Sequence, residues 1–184
     1  MIYPIYVHGS SVLRGGTEKI EKDYPGLQQL VNDMFETMYA SDGVGLAAPQ
    51  IGKAINLFVI DGTPFGEDDP GVKGFKKAFI NAEIYERFGT ETLFNEGCLS
   101  FPGIHEDVSR PSRVKIRYQD ENFVEHDEEY GGIAARIIQH EYDHILGKAF
   151  IDYLSPLRRT LLQNKLNNMA KGKYKASYKS KIVK

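Results

Sequence analysis

The sequence predicts an α+β domain in which short, mostly antiparallel strands surround a central metal-binding helix. Short segments rich in β-branched and aromatic residues come first, and a helical segment that is apolar on most sides follows at about residues 132–146. That segment carries two histidines four residues apart, a spacing that places both imidazoles on one helix face. With 184 residues and 41% hydrophobic side chains, the chain is long enough to bury a core.

The two ends of the chain differ in charge. All nine charged residues after Asp152 are lysines or arginines, whereas the preceding residues are acidic overall. We expect a single catalytic domain over residues 1–172 and a basic, disordered tail over residues 173–184. Such a tail suits a polyanion such as ribosomal RNA, although a solvated lysine tail that only aids solubility fits equally well.

The sequence predicts a soluble cytoplasmic protein. Its single cysteine, Cys98, excludes an intramolecular disulfide. Residues 1–7 are apolar, but they contain Pro4, follow no basic residue and are too short for the core of a signal peptide. No segment approaches the length of a transmembrane helix, so we expect no membrane partner, and nothing in the sequence points to DNA.

The N-terminal half predicts one helix, two loops and a strand. Apolar residues recur at helical spacing from Leu27 to Met38, as in a helix with one buried face. Residues 42–52 contain glycines and should form a loop, and the β-branched and aromatic run 55–60 should form a strand. Residues 63–74 are rich in proline, glycine and aspartate and should form a second loop.

The C-terminal half predicts three strands followed by two helices. The strands are expected over three short ranges: 77–82, 113–118 and 123–130. The first helix is expected at residues 132–146, where Gly147 is placed to end it. Ser155 and Pro156 form a helix start signal, and leucines at helical spacing continue the second helix up to Gly172.

The first of these helices carries His-Glu-Tyr-Asp-His at residues 140–144. The two imidazoles can reach one metal ion, and Glu141 lies beside the first of them. A carboxylate there can take a proton from a water that the metal makes acidic and pass it to a leaving group, which is hydrolase chemistry. The alternative is a chance match on an exposed helix. Burial favours the metal, because polar side chains on an apolar helix need partners.

Two histidines require a third protein ligand, and a catalytic site leaves a further position open. Downstream of His144 there is no histidine, and Asp152 is the only acid. Upstream, residues 96–100 (Glu-Gly-Cys-Leu-Ser) contain the only thiol of the chain. A lone cysteine is more often a core residue than a metal ligand. Here the two histidines, which still lack a third ligand, favour Cys98 as that ligand.

A third segment, Gly-Val-Gly-Leu-Ala-Ala-Pro-Gln at residues 43–50, combines small residues with a terminal amide. Its two glycines and two alanines allow a bound chain to approach the backbone closely. Taken alone, the segment would be a tight loop between a helix and a strand.

Together, residues 43–50, 96–100 and 139–144 resemble the three signature motifs of the peptide deformylases of bacterial type. The resemblance extends over most of the chain, but residues 63–74 and the tail are unmatched. It supports the predicted architecture, since it implies the fold of that family. It also implies removal of the formyl group from the N-terminal formylmethionine of new polypeptides, with release of formate.

Carried over by motif position, the resemblance implies a role for each motif residue. The metal ligands would be Cys98, His140 and His144, with water in the fourth place. Glu141 would be the general acid and base. The side-chain amide of Gln50 and the backbone N–H of Leu99 would donate to the oxyanion, a contact that is worth about 3–4 kcal/mol in other enzymes. Gly45 would hold the substrate backbone.

The methionine side chain of the substrate needs an apolar pocket beside the metal. Val44, Ile133 and Ile137 are the candidates, the last two on the same helix face as His140. Arg136 lies one turn before His140, where related proteins often carry an apolar residue, so we expect a charged pocket rim. Replacing Arg136 by leucine should then change substrate preference more than turnover.

The metal itself does not follow from the ligand types, because one thiolate and two imidazoles can hold zinc, ferrous iron, nickel or cobalt. The resemblance favours ferrous iron, and a thiolate beside accessible iron(II) should be oxidised in air. Around the site, we expect Glu96 to pair with Arg110, and Asp143 to orient the ligands.

Other functions fit parts of the sequence. A zinc endopeptidase would explain the helix motif, but the missing downstream ligands and the Cys98 segment argue against it. A non-catalytic protein with a structural metal site would normally close that site with a fourth side chain, and no obvious candidate exists. A nucleic-acid-binding module would rest on the basic tail alone.

Overall fold

The computed structural model of the protein describes residues 1–184 and contains three α-helices and seven strands. The helices are α1 (Leu27–Ala40), α2 (Gly132–Ile145) and α3 (Pro156–Ala170). The strands are β1 (Ile5–Tyr6), β2 (Gly45–Ala47), β3 (Leu57–Asp61), β4 (Lys76–Gly97), β5 (His105–Gln119), β6 (Glu125–Gly131) and β7 (Ser180–Lys181). Strands β2 to β6 form one antiparallel sheet in chain order, and β1 pairs in parallel with β7. The predicted α+β class is confirmed.

The sheet has a helix on each face. Along β3, Leu57 and Val59 belong to the apolar cluster that contains α1, whereas Phe58 and Ile60 belong to the cluster that contains α2. All four side chains are fully buried, which explains why this strand reads as a continuous apolar run. A third cluster joins the β4–β5 loop to α3. None of the helices is long and apolar enough to cross a lipid bilayer.

The three predicted helices are confirmed, and residues 63–74 form only short 3-10 turns, as expected of a loop. The prediction for residues 42–52 was wrong in part. This segment contains β2 and a 3-10 turn, because residues 45–47 pair with residues 58–60 of β3. The pairing makes β2 the outermost strand of the sheet.

Strands β4 and β5 form a hairpin that extends well beyond the predicted ranges 77–82 and 113–118. Strand β4 continues to Gly97, and β5 begins at His105. Most side chains in these extensions are polar or exposed, so the alternation of apolar residues that marks a half-buried strand is weak there. The loop that closes the hairpin begins at Cys98.

The expectation of a disordered tail was wrong. The Ile5 N–H donates to Lys179 O and the Val7 N–H to Lys181 O, each at 2.9 Å, so β7 pairs with β1. Alternate residues of the segment are half-buried between exposed neighbours: Tyr174, Ala176, Tyr178, Ser180 and Ile182. This period of two is the strand signal that the lysine-rich composition obscured. We call residues 173–183 the C-terminal strap.

Candidate metal centre and substrate cleft

Three side chains from two parts of the fold converge on one point. Helix α2 presents His140 and His144 one turn apart, and Cys98 lies at the end of β4. One ligand atom from each residue lies within 4.8 Å of the others, and Cys98 Sγ is 3.3 Å from His144 Nε2. One ion with bonds of about 2.0–2.3 Å to sulfur and nitrogen fits between atoms at these separations.

Behind the ligands, two acids and two arginines form a buried network of ion pairs. Arg110 donates to Glu96 at 2.7 Å and to Asp143 at 2.8 Å. Arg136 donates to Glu96 at 2.8 Å. All four side chains are buried, and their charges cancel. The expected pairing of Glu96 with Arg110 is confirmed.

Glu96 also orients the first histidine. The Nδ1 of His140 donates to Glu96 Oε1 at 2.7 Å, because an ionised carboxylate can only accept, and this leaves Nε2 free to bind a metal. Burial alone would raise the pKa of Glu96, but hydrogen bonds from His140 and Arg110 lower it to about 2. Burial lowers the pKa of His144 well below its usual range, which favours the neutral imidazole that binds metals.

Glu141 has no such partner. Its side chain is buried, and Oε2 accepts no hydrogen bond from the protein. Burial raises its pKa to about 7. Glu141 therefore lies beside one thiol and two imidazoles as a buried carboxyl group that nothing in the protein partners. A divalent cation fits this ligand set, and a water bound to the cation could partner the carboxyl group.

Gln50 and Leu99 present donors beside the ligands. The Gln50 side-chain oxygen accepts from the Ala47 N–H at 2.9 Å, so the amide nitrogen turns towards the site. That nitrogen lies 3.5 Å from Cys98 Sγ and 3.2 Å from Ser100 Oγ. The backbone N–H of Leu99 donates to no other group of the protein. Gln50 and Leu99 both line the cleft that contains Cys98 and His140.

Gly45 lies directly against the carboxylate of Glu141. A Cβ atom at position 45 would collide with the carboxylate and with the methylene next to it. Only glycine allows β2 to run this close to Glu141, which ties the first motif to the third.

A cleft of about 490 Å³ opens beside the ligands. The predicted pocket residues Val44, Ile133 and Ile137 all line it. Sequence reasoning missed Phe65 and Phe94, which add aromatic surface to the same wall. Phe94 lies in the part of β4 whose strand character was not predicted, so no sequence signal pointed to it.

Arg136 borders the cleft, but its charge is held within the protein. Besides Glu96, its guanidinium donates to Thr92 O at 2.7 Å and to Val108 O at 2.9 Å. Its relative exposure is 7%. The charge that was expected at the pocket rim is therefore neutralised by Glu96, and the guanidinium connects the two strands of the β4–β5 hairpin.

A model of the polypeptide deformylase family matches residues 2–160 of the chain. The chain belongs to the peptide deformylase family. It is an enzyme of this type, and peptide deformylases remove the formyl group from the N terminus of peptides in a metal-dependent reaction.

Similar proteins cover almost the whole chain. The peptide deformylase of Christiangramia forsetii is 47% identical over 189 residues, which span 99% of this chain and 96% of that protein. The peptide deformylase of Flavobacterium johnsoniae is 48% identical over 190 residues, which span 100% of this chain and 97% of that protein.

Solved peptide deformylase structures share the fold. The crystal structure of the Legionella pneumophila peptide deformylase aligns with a TM-score of 0.79 at 38% identity and covers 93% of this chain and 96% of that one. The Thermotoga maritima peptide deformylase aligns with a TM-score of 0.76 at 40% identity and covers 85% of this chain and 99% of that one.

Proposed function

We propose that this peptide deformylase hydrolyses the formamide of N-formylmethionyl peptides, with Glu141 as the general acid and base and with Cys98, His140 and His144 as the metal ligands. One observation carries the proposal: a buried carboxylate without a hydrogen-bond partner lies beside three converging ligands. Its pKa of about 7 suits a group that both accepts and returns a proton near neutral pH.

A divalent ion bound here would supply Lewis acidity, which makes water a nucleophile near neutral pH. We propose ferrous iron, with zinc, nickel and cobalt as ions that the same ligands accept. The support for a metal is the ligand set and the unpartnered Glu141 carboxyl group beside it, whereas iron is favoured by the resemblance alone.

The side chains divide the work of the reaction. Glu141 takes a proton from the attacking water and delivers it to the amide nitrogen, so that the carbon–nitrogen bond breaks and formate leaves a free amine. As charge develops on the formyl oxygen, the Gln50 amide and the Leu99 N–H donate to it, each contact worth about 3–4 kcal/mol in comparable sites.

The substrate backbone would lie along β2, with Gly45 beside it. Strand β2 is at the edge of the sheet, and an open edge can pair with an extended peptide. The methionine side chain would enter the apolar wall formed by Val44, Ile133 and Ile137. Val44 directly precedes β2, and Ile133 and Ile137 lie on α2, the helix that also carries the two histidines. One peptide bound along β2 can therefore reach the pocket and the metal together.

The cellular setting belongs to the same proposal. Formylated nascent chains are made in the cytoplasm, so we place the reaction there.

Contact between the strap and ribosomal RNA stays a prediction, supported by exposed lysines such as Lys173, Lys179 and Lys181. Co-sedimentation with ribosomes at increasing salt, compared with a variant in which these three lysines are glutamine, tests it; equal binding by both proteins would dismiss the contact.

The first experiment measures formate released from a formyl-Met-Ala-Ser peptide by protein purified without oxygen. We expect release by the wild type, loss in Glu141→Ala and no loss in Glu86→Gln, which changes an exposed acid of β4. Acetyl-Met-Ala-Ser should remain intact. No formate from metal-loaded wild type overturns the function, and release by Glu141→Ala overturns the role of that residue. Cleavage of an internal bond would instead favour an endopeptidase.

A further inference from the structure

The turn at residues 98–100 carries both a metal ligand and an oxyanion donor, and three different parts of the chain hold its carbonyl groups. The Cys98 carbonyl accepts from the Phe101 N–H at 2.9 Å, within the turn itself. The Ser100 carbonyl accepts from the His8 N–H at 2.8 Å, next to β1. The Leu99 carbonyl accepts from the Tyr178 hydroxyl of the C-terminal strap at 2.6 Å.

Tyr178 is well placed to hold this turn rigidly. Its ring is half-buried and packs against the apolar cluster of α1, the same cluster that Leu99 contacts. Immediately after it, β7 pairs with β1. Before it, residues 175–177 line the substrate cleft, so the strap forms part of the cleft wall. The hydroxyl therefore comes from a fixed point outside the turn.

The Leu99 carbonyl and the Leu99 N–H belong to adjacent peptide planes, which are joined only by the two backbone rotations at Leu99. The Cys98 carbonyl lies in the same peptide plane as the Leu99 N–H, and its hydrogen bond from the Phe101 N–H fixes that plane. The Tyr178 hydroxyl fixes the next plane through the Leu99 carbonyl. With both planes held, the Leu99 N–H has little freedom to rotate away from the cleft. Without the Tyr178 hydroxyl, the Leu99 carbonyl would accept no hydrogen bond from the protein.

We propose that Tyr178 is a positioning residue of the deformylase reaction, which holds the Leu99 peptide so that its N–H faces the reacting formyl group. The inference rests on the proposed function of Leu99. It concerns a part of the chain beyond residue 160, where the match to the family model ends, and it gives the strap a role in turnover.

Tyr178→Phe removes the hydroxyl and keeps the ring. Tyr174→Phe is the matched control, because the Tyr174 hydroxyl contacts Ser180 Oγ at 3.0 Å, within the strap. We expect Tyr178→Phe to lower kcat for formyl-Met-Ala-Ser about five- to tenfold, with KM within about twofold of the wild type. Tyr174→Phe should leave both constants within about twofold.

A second measurement separates positioning from general loosening and does not depend on activity. In the zinc-loaded protein, the amide resonance of Leu99 should shift in Tyr178→Phe and stay in place in Tyr174→Phe. In the cobalt-loaded protein, the thiolate-to-cobalt absorption should be unchanged in both, because Cys98 keeps its place.

Each outcome has one meaning. A lower kcat together with a shifted Leu99 amide and an unchanged cobalt band supports the proposal. An unchanged kcat, an effect on KM alone or an unmoved Leu99 amide overturns it, and so does an altered cobalt band, since the metal loop itself would then have moved. If the wild type releases no formate, the proposed function fails, and the Leu99 amide still reports whether Tyr178 holds the turn.

Discussion

Among single residues, Glu96 connects the metal ligands to the buried charges behind them. Its carboxylate accepts from His140, Arg110 and Arg136. Glu96→Gln keeps the size but removes the charge that both arginines face. We expect the free energy of unfolding to fall by about 3 kcal/mol. Metal affinity should fall about 10- to 100-fold, because the first histidine loses its orienting carboxylate. Urea denaturation and competition with a chelator measure the two effects.

The control for this prediction is Glu86→Gln, on the same strand. Glu86 pairs with Lys115 at 2.8 Å, but both side chains remain accessible to solvent. An exposed pair contributes little to stability, so we expect almost no change in unfolding or in metal affinity. Similar losses in the two variants would contradict the special role of Glu96.

Replacement of Arg136 should affect two measurable properties, substrate preference and the free energy of unfolding. From the sequence, we expect Arg136→Leu to change substrate preference more than turnover. The contacts of the guanidinium with Glu96, Thr92 O and Val108 O add a second expectation: leucine should lower the free energy of unfolding by about 3 kcal/mol. Rankings of kcat/KM over a panel of formyl-Met-X peptides, at a temperature where the variant stays folded, test the first effect. An unchanged ranking would leave Arg136 with a structural role only.

Among the elements, the loop at residues 63–74 fixes the start of the metal helix. Asp69 accepts from the Ile133 N–H at 3.0 Å, at the end of α2 where backbone N–H groups lack helical partners. We expect Asp69→Ala to lower the free energy of unfolding by about 1 kcal/mol in urea denaturation. Asp68→Ala is the control, since that side chain is the exposed neighbour of Asp69 and does not contact α2 through a hydrogen bond. Equal changes in both variants would show that the cap contributes nothing.

The helices and the shared face of the two histidines were predictable because their signals are local. Apolar periodicity marks α1 and α2, and the spacing of His140 and His144 already places both on one face. Cys98 needed more than local information, since only its match to a motif separated it from a core cysteine. The extension of β4 and the strap gave little signal. Both are stabilised by backbone pairing with strands that are distant in sequence, β5 for β4 and β1 for the strap.

Across the whole molecule, the proposed active site lies where separate layers meet. The sheet supplies Gly45, α2 supplies the histidines and Glu141, the hairpin supplies Cys98, and the strap covers one side. Apolar clusters lie between neighbouring layers, and the ion pairs of Arg110 and Arg136 join the hairpin to α2. The site is thus held by contacts between layers, which no single segment of the sequence specifies.

Because these layers leave Glu141 buried without a partner, removal of the metal should make the stability of the whole molecule depend on pH. Burial raises the pKa of Glu141 from 4.5 to about 7 in the folded protein, so the folded state holds this proton more tightly than the unfolded state. The resulting stability is fully present below about pH 4.5 and is lost as the pH rises to about 7, a change of about 3 kcal/mol. Urea denaturation of chelator-treated wild type and Glu141→Gln, at about pH 5 and about pH 8, measures this loss. Since glutamine does not titrate, the wild type should lose more stability than the variant over this range, and a parallel fall in both proteins would assign the pH dependence to other groups.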